Sequence, residues 1–411
     1  MQYVILGAGP AGVIAAETLR KLDPGGTVTL VGGEPEPPYS RMAIPYVLTG
    51  KIDEKGTYLR KTAGHYDSLG ITYVQGKAEK VDPVKGTVTL RGGDSLSYDR
   101  LLVATGSSPV KPPVPGLDLS GVHHCWTLED ARNIAARAVK GSDVVLMGAG
   151  FIGCIILESL VERGVNLTVV EAEDRMVPRM MDRTGGTMIK RWCEDKGVTV
   201  LTSTKVMEVV ESGSGLKIAL DNGSALNAAL LVVAAGVKPN TDFLEGSGIE
   251  TDVGIKVDDS LCSNKKNIFA AGDVAQGPDF SGGWSVHAIQ PTAVEHGRIA
   301  ALNMTGSEAV YQGSLNMNVL DTIGLISCSF GEWEGGADGE VVEVVDEENF
   351  KYIRLAFNGS FLVGALSLGR TDHVGVLRGL IQSQINLGAW KERLKADPHR
   401  IADAYIACTQ S

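Results

Sequence analysis

The chain is predicted to be α/β, with two Rossmann-like units followed by a small α+β segment. Three features point that way. A strand–Gly-x-Gly-x-x-Gly–helix pattern begins at Gly7 and recurs about 140 residues later at Gly148, an internal repeat that chance rarely supplies. Glycine, at 51 of 411 residues, is nearly double its usual ~7% share, as in chains rich in tight turns and close backbone approaches. From about Ser314 this pattern stops and alternating strands begin.

In the first unit, residues 2–6 read as a buried strand, and 13–19 carry apolar residues at helical spacing. Gly7 permits the turn between them. Gly9 lets backbone approach a pyrophosphate, and Gly12 lets helix and strand pack closely. The helix N-terminus then faces the negative charge. A second strand over 27–31 leads to Glu34, a carboxylate placed for a ribose hydroxyl pair.

The second unit repeats this order. A strand over 143–147 enters the turn at Gly148, Gly150 and Gly153, and a helix runs to about Arg163. The next strand, 166–170, ends at Glu171. A carboxylate there accepts from the adenosine 2′- and 3′-hydroxyls and repels a 2′-phosphate, favouring NADH over NADPH. Arg175, four residues on, is the cation that could soften this preference, unless it is an ordinary solvated charge.

Between the units lies a β-rich stretch over 72–98, with Gly92-Gly93-Asp94 as a hairpin turn. It ends in a strand opening at Ala104-Thr105-Gly106, and a proline-rich linker over 108–116 follows. A parallel stretch follows the second unit and ends at Gly236.

The net charge of −11 argues against nucleic acid or an anionic membrane as partner. No apolar run approaches the ~18 residues that span a bilayer. A strand beginning at Gln2 leaves no room for a signal peptide, so a cytoplasmic enzyme is expected. The six cysteines are scattered without a CxxC pair. No disulfide framework, metal site or iron–sulfur centre is expected, and most thiols read as buried and inert.

Five ordered motifs, GAGPAG, ATGSSP, GAGFIG, AAGVKPN and NIFAAGDVA, resemble those of the FAD/NAD(P) pyridine nucleotide–disulfide oxidoreductase superfamily over roughly residues 1–310. The resemblance implies a discontinuous FAD domain (1–108 and 241–315) and an inserted NAD domain (109–240), leaving 316–411 as the α+β domain. It implies that Gly7, Gly9, Pro10, Ala11, Gly12 and Glu34 hold the ADP part of FAD. Arg41 would contact the pyrophosphate, Ile44 and Pro45 the flavin face, and Ala78 the adenine, with Ala104, Thr105 and Gly106 close by. Gly272 and Asp273 would sit by the ribityl chain. Thr292 and Ala293 would lie at the flavin N1–C2 edge, where Pro291 opens a helix whose N-terminus favours negative charge. Gly148, Gly150, Phe151, Ile152, Gly153, Glu171 and Gly236 would serve NADH. His287 is either a proton donor or a positioned polar residue. Ile155 stands where relatives usually carry a Glu, so nicotinamide positioning differs in detail.

In the C-terminal segment, strands are expected over 341–345, 352–357 and 361–368, with Asn358-Gly359 as a two-residue hairpin turn. Helix-like stretches follow over 373–386 and 389–407. The segment resembles the small C-terminal domain of NADH–rubredoxin reductases and of NADH nitrite reductase flavoproteins, although Gly369-Arg370 stands where they tend to carry Gly-Asp. Capping the flavin domain, homodimerisation and partner docking are all open to it.

The mechanism so implied is hydride transfer from NADH to flavin and onward electron delivery, with no acid–base residue from the protein. The segment Ser40-Arg41-Met42-Ala43-Ile44-Pro45-Tyr46 aligns with one that carries a redox cysteine in part of the superfamily, and Met42 takes the cysteine's place. A thioether forms neither a thiolate nor a mixed disulfide, so Met42 is expected to pack against the flavin or Pro45. The first expectation is therefore an NADH-dependent reductase delivering electrons to a small redox protein (rubredoxin or ferredoxin) or a separate partner subunit. An NADH oxidase or diaphorase, and a FAD/NAD-binding sensor or assembly protein, are the alternatives.

Overall fold

The computed structural model describes residues 1–336, 339–370 and 372–410. By its contacts the chain forms two compact units. The first comprises Met1–Ala43, Ile52–Ser108 and Val237–Ser314; the second comprises Ile44–Lys51, Pro109–Gly236 and Leu315–Ser411.

The first unit is built on a five-stranded parallel sheet in the order Ile268–Ala270, Arg100–Val103, Gln2–Leu6, Thr27–Gly32, Ile71–Gln75. Its strands are nearly continuous apolar runs because both faces are covered; Ile5, Leu30, Leu101 and Leu102 are fully buried. The helices Pro10–Leu22 and Gln290–Met304 pack against each other. Their approach is so close that a Cβ on Gly297 would lie 2.3 Å from the Ala11 carbonyl oxygen. A small antiparallel sheet of Ala78–Asp82, Thr87–Leu90 and Ser95–Ser97 completes the unit's β-rich insertion.

The second unit repeats the parallel sheet in the order Thr199–Leu201, Asn166–Val170, Asp143–Met147, Leu230–Val233, Val122–His123. The outermost strand here comes from the segment before the fingerprint, whereas in the first unit it comes from far downstream. An antiparallel sheet of Val206–Ser212, Gly215–Leu220 and Ala225–Ala228 shares its core with Val145, Val170 and Leu231.

The C-terminal segment belongs to this same unit. It forms a five-stranded antiparallel sheet in the order Met317–Thr322, Leu325–Gly331, Phe361–Leu368, Lys351–Asn358, Glu340–Asp346. Its first strand packs on the helix Phe151–Glu162. Trp192 donates its indole N–H to the Ile323 carbonyl (3.1 Å), and the Tyr352 hydroxyl reaches Asp182 (2.6 Å).

Several local expectations are corrected. The first two strands of this sheet are not among those expected; they are joined by a two-residue turn at Ile323-Gly324, where the Gly324 amide donates to Asp321 (2.7 Å). The hairpin loop is Gly359-Ser360, with Asn358 still in the ladder opposite Phe361; Gly359, at φ +56, takes the left-handed position. The single helix expected over 389–407 is two, Trp390–Ala396 and Ile401–Thr409, because Pro398 cannot continue a helix. The other helix-like stretch is confined to Val374–Gln382.

Residues 44–51, read from sequence as part of the FAD domain, group with the second unit. There Ile44–Leu48 is a short helix packed on Leu128–Arg137 and Phe151–Glu162. Arg163 fixes it, donating to the carbonyls of Leu48 (2.6 Å), Ala138 (2.8 Å) and Ala135 (2.6 Å). One cation thus serves the C-terminal ends of two helices, where the backbone dipoles favour it.

Candidate functional site: two dinucleotide cradles

The two fingerprints fold alike because the same close contacts force the same residues. Gly7 (φ +113) and Gly148 (φ +101) occupy a region that favours glycine. A Cβ on Gly12 or Gly153 would lie 1.9 or 2.2 Å from the carbonyl oxygen of Gly7 or Gly148. The middle glycines differ: a Cβ on Gly9 or Gly150 would meet no protein atom within 4 Å. Their hydrogen faces open space at a helix N-terminus, as backbone that must approach a ligand requires.

Helix capping divides the longer helices into two groups. Among the described residues, five helices have ten or more residues. Leu128–Arg137 is closed by a capping box from Thr127 and Asp130, and Arg183–Asp195 by the Asp182 side chain. The other three, starting after Gly9, Gly150 and Ile289, have no side-chain cap. Their first-turn amides are left to an acceptor outside the helix. These are the three N-termini expected to face the FAD pyrophosphate, the NAD pyrophosphate and the flavin edge, so the chain fits both cofactors. Pro10, Ala11, Phe151 and Ile152 lie in the first turns of the first two helices, and Thr292 and Ala293 in that of the third.

Around the first cradle, Ala104 continues the sheet by donating its N–H to the Leu6 carbonyl (2.7 Å). Thr105 donates its hydroxyl to the Asn240 carbonyl (3.0 Å), and Gly106 turns at φ +65. Ala234 repeats the first contact toward Met147 (2.8 Å), and Gly236 turns at φ +102. Asp273 is half-buried and accepts from the Ser107 hydroxyl (2.9 Å). Burial raises its pKa, against the opposing pull of Ser107 and Arg41. Gly272, at φ +74, donates its N–H to His296 Nδ1 (3.2 Å). Burial, with His287 nearby, lowers the His296 pKa to about 4, so the ring is neutral. His296 had no signal in the sequence beyond its place in a helix.

The other expected residues are placed as follows. Glu34 and Arg41, assigned to ribose and pyrophosphate, pair with each other, and both bond the Tyr39 hydroxyl. The Thr292 side chain is buried, bonded to the Ser314 hydroxyl (2.8 Å). Only its backbone is left for an edge contact at the helix start. Met42 is 54% exposed, while Ile44 is 2% exposed within the short helix that packs in the second unit. Ala78 begins the small antiparallel sheet and is partly exposed. His287 Nε2 contacts Asp279 (2.9 Å) and the Ser285 hydroxyl (2.7 Å), a positioned polar cluster.

The acids of the two cradles are not equivalent. Gly7 N–H meets the Val31 carbonyl and Gly148 N–H the Val170 carbonyl, both at 2.8 Å. By this equivalence Glu171 is the counterpart of Gly32 in the first cradle, and Glu173 is the counterpart of Glu34. No carboxylate fits at Gly32, where a Cβ would lie 2.1 Å from the Tyr73 hydroxyl. Glu171 is buried and accepts from the amides of Ala149 (2.6 Å) and Glu173 (2.8 Å). The Ala149 carbonyl in turn accepts from Val177 (2.8 Å). The fingerprint loop is thereby clamped to the loop after the strand.

Comparison with known proteins agrees with this geometry. The family model described as pyridine nucleotide-disulphide oxidoreductase matches residues 1–297. The chain belongs to that family. It is an FAD-dependent oxidoreductase acting with a nicotinamide dinucleotide. Residues 317–385 match the rubredoxin NAD+ reductase C-terminal domain.

One curated relative is the NADH-dependent phenylglyoxylate dehydrogenase subunit epsilon of Aromatoleum evansii. It is 32% identical over 401 residues, covering 97% of this chain and 95% of that protein. The nitrite reductase [NAD(P)H] of Bacillus subtilis is 27% identical over 94% of this chain, which spans only 48% of that relative's length. Among solved structures, the covalent putidaredoxin reductase–putidaredoxin complex superposes with a TM-score of 0.91 at 21% identity. It covers 100% of this chain and 99% of that one, a likeness of fold.

Proposed function

We propose that this protein exchanges electrons between NADH and a separate redox protein or partner subunit, of rubredoxin or ferredoxin type, through bound FAD. FAD and NADH supply the hydride and electron chemistry. The chain's residues position them and set the local electrostatics. Gly9 and Gly150 admit the two pyrophosphates to uncapped helix N-termini. The start of Gln290–Met304 stabilises negative charge at the flavin edge.

The observation that carries the reading is the state of the cysteines. Burial raises the pKa of Cys125, Cys193 and Cys328 to about 12 and of Cys262 to about 11. Cys154 and Cys408 are also raised by burial. None is a thiolate at neutral pH, so a thiol relay has no member here. Among the described residues no cluster of His, Cys, Asp and Glu could hold a metal ion. Electrons leaving the cofactor go directly to an outside acceptor. The relative that is itself a subunit of a larger dehydrogenase supports a protein acceptor or donor.

NADH rather than NADPH is supported by Glu171 and by Arg175. The Arg175 guanidinium is held by the carbonyls of Met181 (3.1 Å) and Pro178 (3.2 Å) and by Asp174 (2.8 Å). It is a loop staple, unlike the solvated charge considered from sequence.

The test is anaerobic stopped-flow. NADH should bleach the FAD absorbance, and oxidised rubredoxin or ferredoxin from the same organism should restore it faster than dioxygen, quinone or CoA-disulfide does. Faster recovery with dioxygen or quinone would make the protein an oxidase or diaphorase. A flavin that NADH does not bleach would leave only a binding role.

A further inference from the structure

The loop after Asn166–Val170 carries more charge than a ribose site needs. We propose that Asp174 is a specificity-determining residue of the second cradle: it holds Arg175 and Arg183 in ion pairs, so that neither is offered to a 2′-phosphate. This deepens the NADH reading and rests on it.

The geometry of Asp174 is that of a bridge. One carboxylate oxygen meets Arg175 at 2.8 Å, and the other pairs with Arg183 at the first position of the helix Arg183–Asp195. The hydrogen bond from Arg175, then the charge of Arg183, holds its carboxyl below the usual range. The two arginines are held very differently. Arg175 is 24% exposed and bonded to two loop carbonyls. Its stem lies on Gly186, where a Cβ would come within 2.9 Å of Arg175 Cβ. Arg183 is 80% exposed and has Asp174 as its ion-pair partner.

Arg183 is thus the exposed cation and Asp174 its ion-pair partner. Glu173 is exposed beside them. Together with Glu171 it keeps the strand end negative while Asp174 offsets one of the two arginines. Arg179, exposed at the loop tip, is the remaining cation. Removing the Asp174 charge releases Arg183 on a long side chain at the adenosine end. A charge-assisted hydrogen bond to phosphate then becomes available.

Calorimetry on the FAD-loaded enzyme, whose first cradle is filled, would compare ADP with 2′,5′-ADP at low and moderate salt. Wild type should prefer ADP. In Asp174→Asn, 2′,5′-ADP should bind about tenfold more tightly, as one added hydrogen bond to a charged group allows, with ADP unchanged. Added salt should erode the gain. Arg183→Ala in the Asp174→Asn background should abolish it. Arg183→Ala alone removes the exposed partner of Asp174 together with the cation that a 2′-phosphate would meet, and should leave the preference for ADP intact.

Unchanged discrimination in Asp174→Asn, or a gain that survives Arg183→Ala, would overturn the assignment. So would loss of ADP binding together with 2′,5′-ADP binding, since Asp174 would then only shape the loop. A wild-type enzyme that binds both ligands equally would instead refute the NADH reading itself.

Discussion

Replacing His296 with Gln tests whether the turn before Asp273 rests on a neutral buried imidazole. His296 is 3% exposed, accepts from Gly272 N–H at 3.2 Å and lies perpendicular to the Tyr311 ring at 4.5 Å between centroids. Its pKa falls from 6.5 to about 4 on folding. A histidine depressed in this way contributes full stability above its unfolded pKa. That stability is lost as pH falls from about 6.5 through about 4, because only the unfolded chain takes up the proton. Between pH 7 and pH 5 the loss from this residue is about 2 kcal/mol at 1.36 kcal/mol per unit.

Gln keeps an acceptor for the Gly272 amide and does not titrate. Thermal unfolding of the FAD-loaded wild type and His296→Gln at both pH values isolates the contribution, since all other groups cancel in the double difference. The wild type should lose roughly 4–8 °C more than the variant between pH 7 and pH 5, at about 2–4 °C per kcal/mol for a unit of 150–250 residues. Equal losses would mean that His296 protonates as readily folded as unfolded, and the neutral acceptor would be wrong. His296→Leu should be worse than His296→Gln at pH 7 by about 1–3 kcal/mol, because the Gly272 amide is left buried without an acceptor.

The remaining predictions concern the first unit's framework and the Met42 segment. Arg60 meets both oxygens of Glu17 at 2.6 Å, and His65 meets one at 2.8 Å. Burial works to raise the Glu17 pKa, yet Arg60 and His65 outweigh it and lower the value. Arg60→Ala should therefore cost about 2 kcal/mol in urea unfolding, and a cost near zero would show the pair to be idle. Gly12→Ala, whose Cβ would overlap the Gly7 carbonyl, should lower the melting temperature of apoprotein and holoprotein alike; an unshifted apoprotein would contradict that contact. Met42→Cys should give a thiol that reacts with an aromatic disulfide reagent well ahead of the six native thiols and supports NADH-dependent reduction of CoA-disulfide. A thiol as inert as the native ones would contradict the exposed position of residue 42.

The repeat, its fingerprints and the central strands were legible because each depends on residues adjacent in sequence. Gly7 and Gly148 must turn, Gly12 and Gly153 must pack, and the strands must be apolar. What was illegible depends on register or on carbonyls. That Glu171 is the counterpart of Gly32 rather than of Glu34 follows only from the two ladders, and that a Tyr73 hydroxyl fills the space beside Gly32 follows only from the third strand. Arg175 looked like a surface cation because its partners are mostly backbone oxygens, which have no letter in a sequence. The short helix after Met42 was missed for a similar reason. Five residues carry no period, and its hold comes from Arg163, more than a hundred positions away. Of the two strands at the start of the C-terminal sheet, Met317–Thr322 is a polar edge, and Leu325–Gly331 is an interior strand whose buried Ser327 and Ser329 break the apolar pattern.

Capping, by contrast, was readable and went unread, and it carries the sharpest test of the first cradle. Thr127 and Asp182 cap their helices with side chains, whereas Gly9, Gly150 and Ile289 offer no side-chain cap. Gly9 sits at φ −77 and ψ −174, a conformation aspartate adopts freely, and its Cβ would meet no protein atom. Gly9→Asp should therefore behave in opposite ways with and without cofactor. In the apoprotein the new carboxylate caps the helix and complements its dipole, for a gain of about 0.5–1 kcal/mol. In the presence of FAD the same charge occupies the place of the pyrophosphate and repels it, so binding followed by flavin fluorescence should be lost. If Gly9→Asp kept wild-type FAD affinity, that N-terminus would not face the pyrophosphate, and the uncapped ends would need another explanation. If both affinity and apoprotein stability fell, the space in front of Gly9 would be filled by the protein itself, and glycine would be there for packing, as at Gly12.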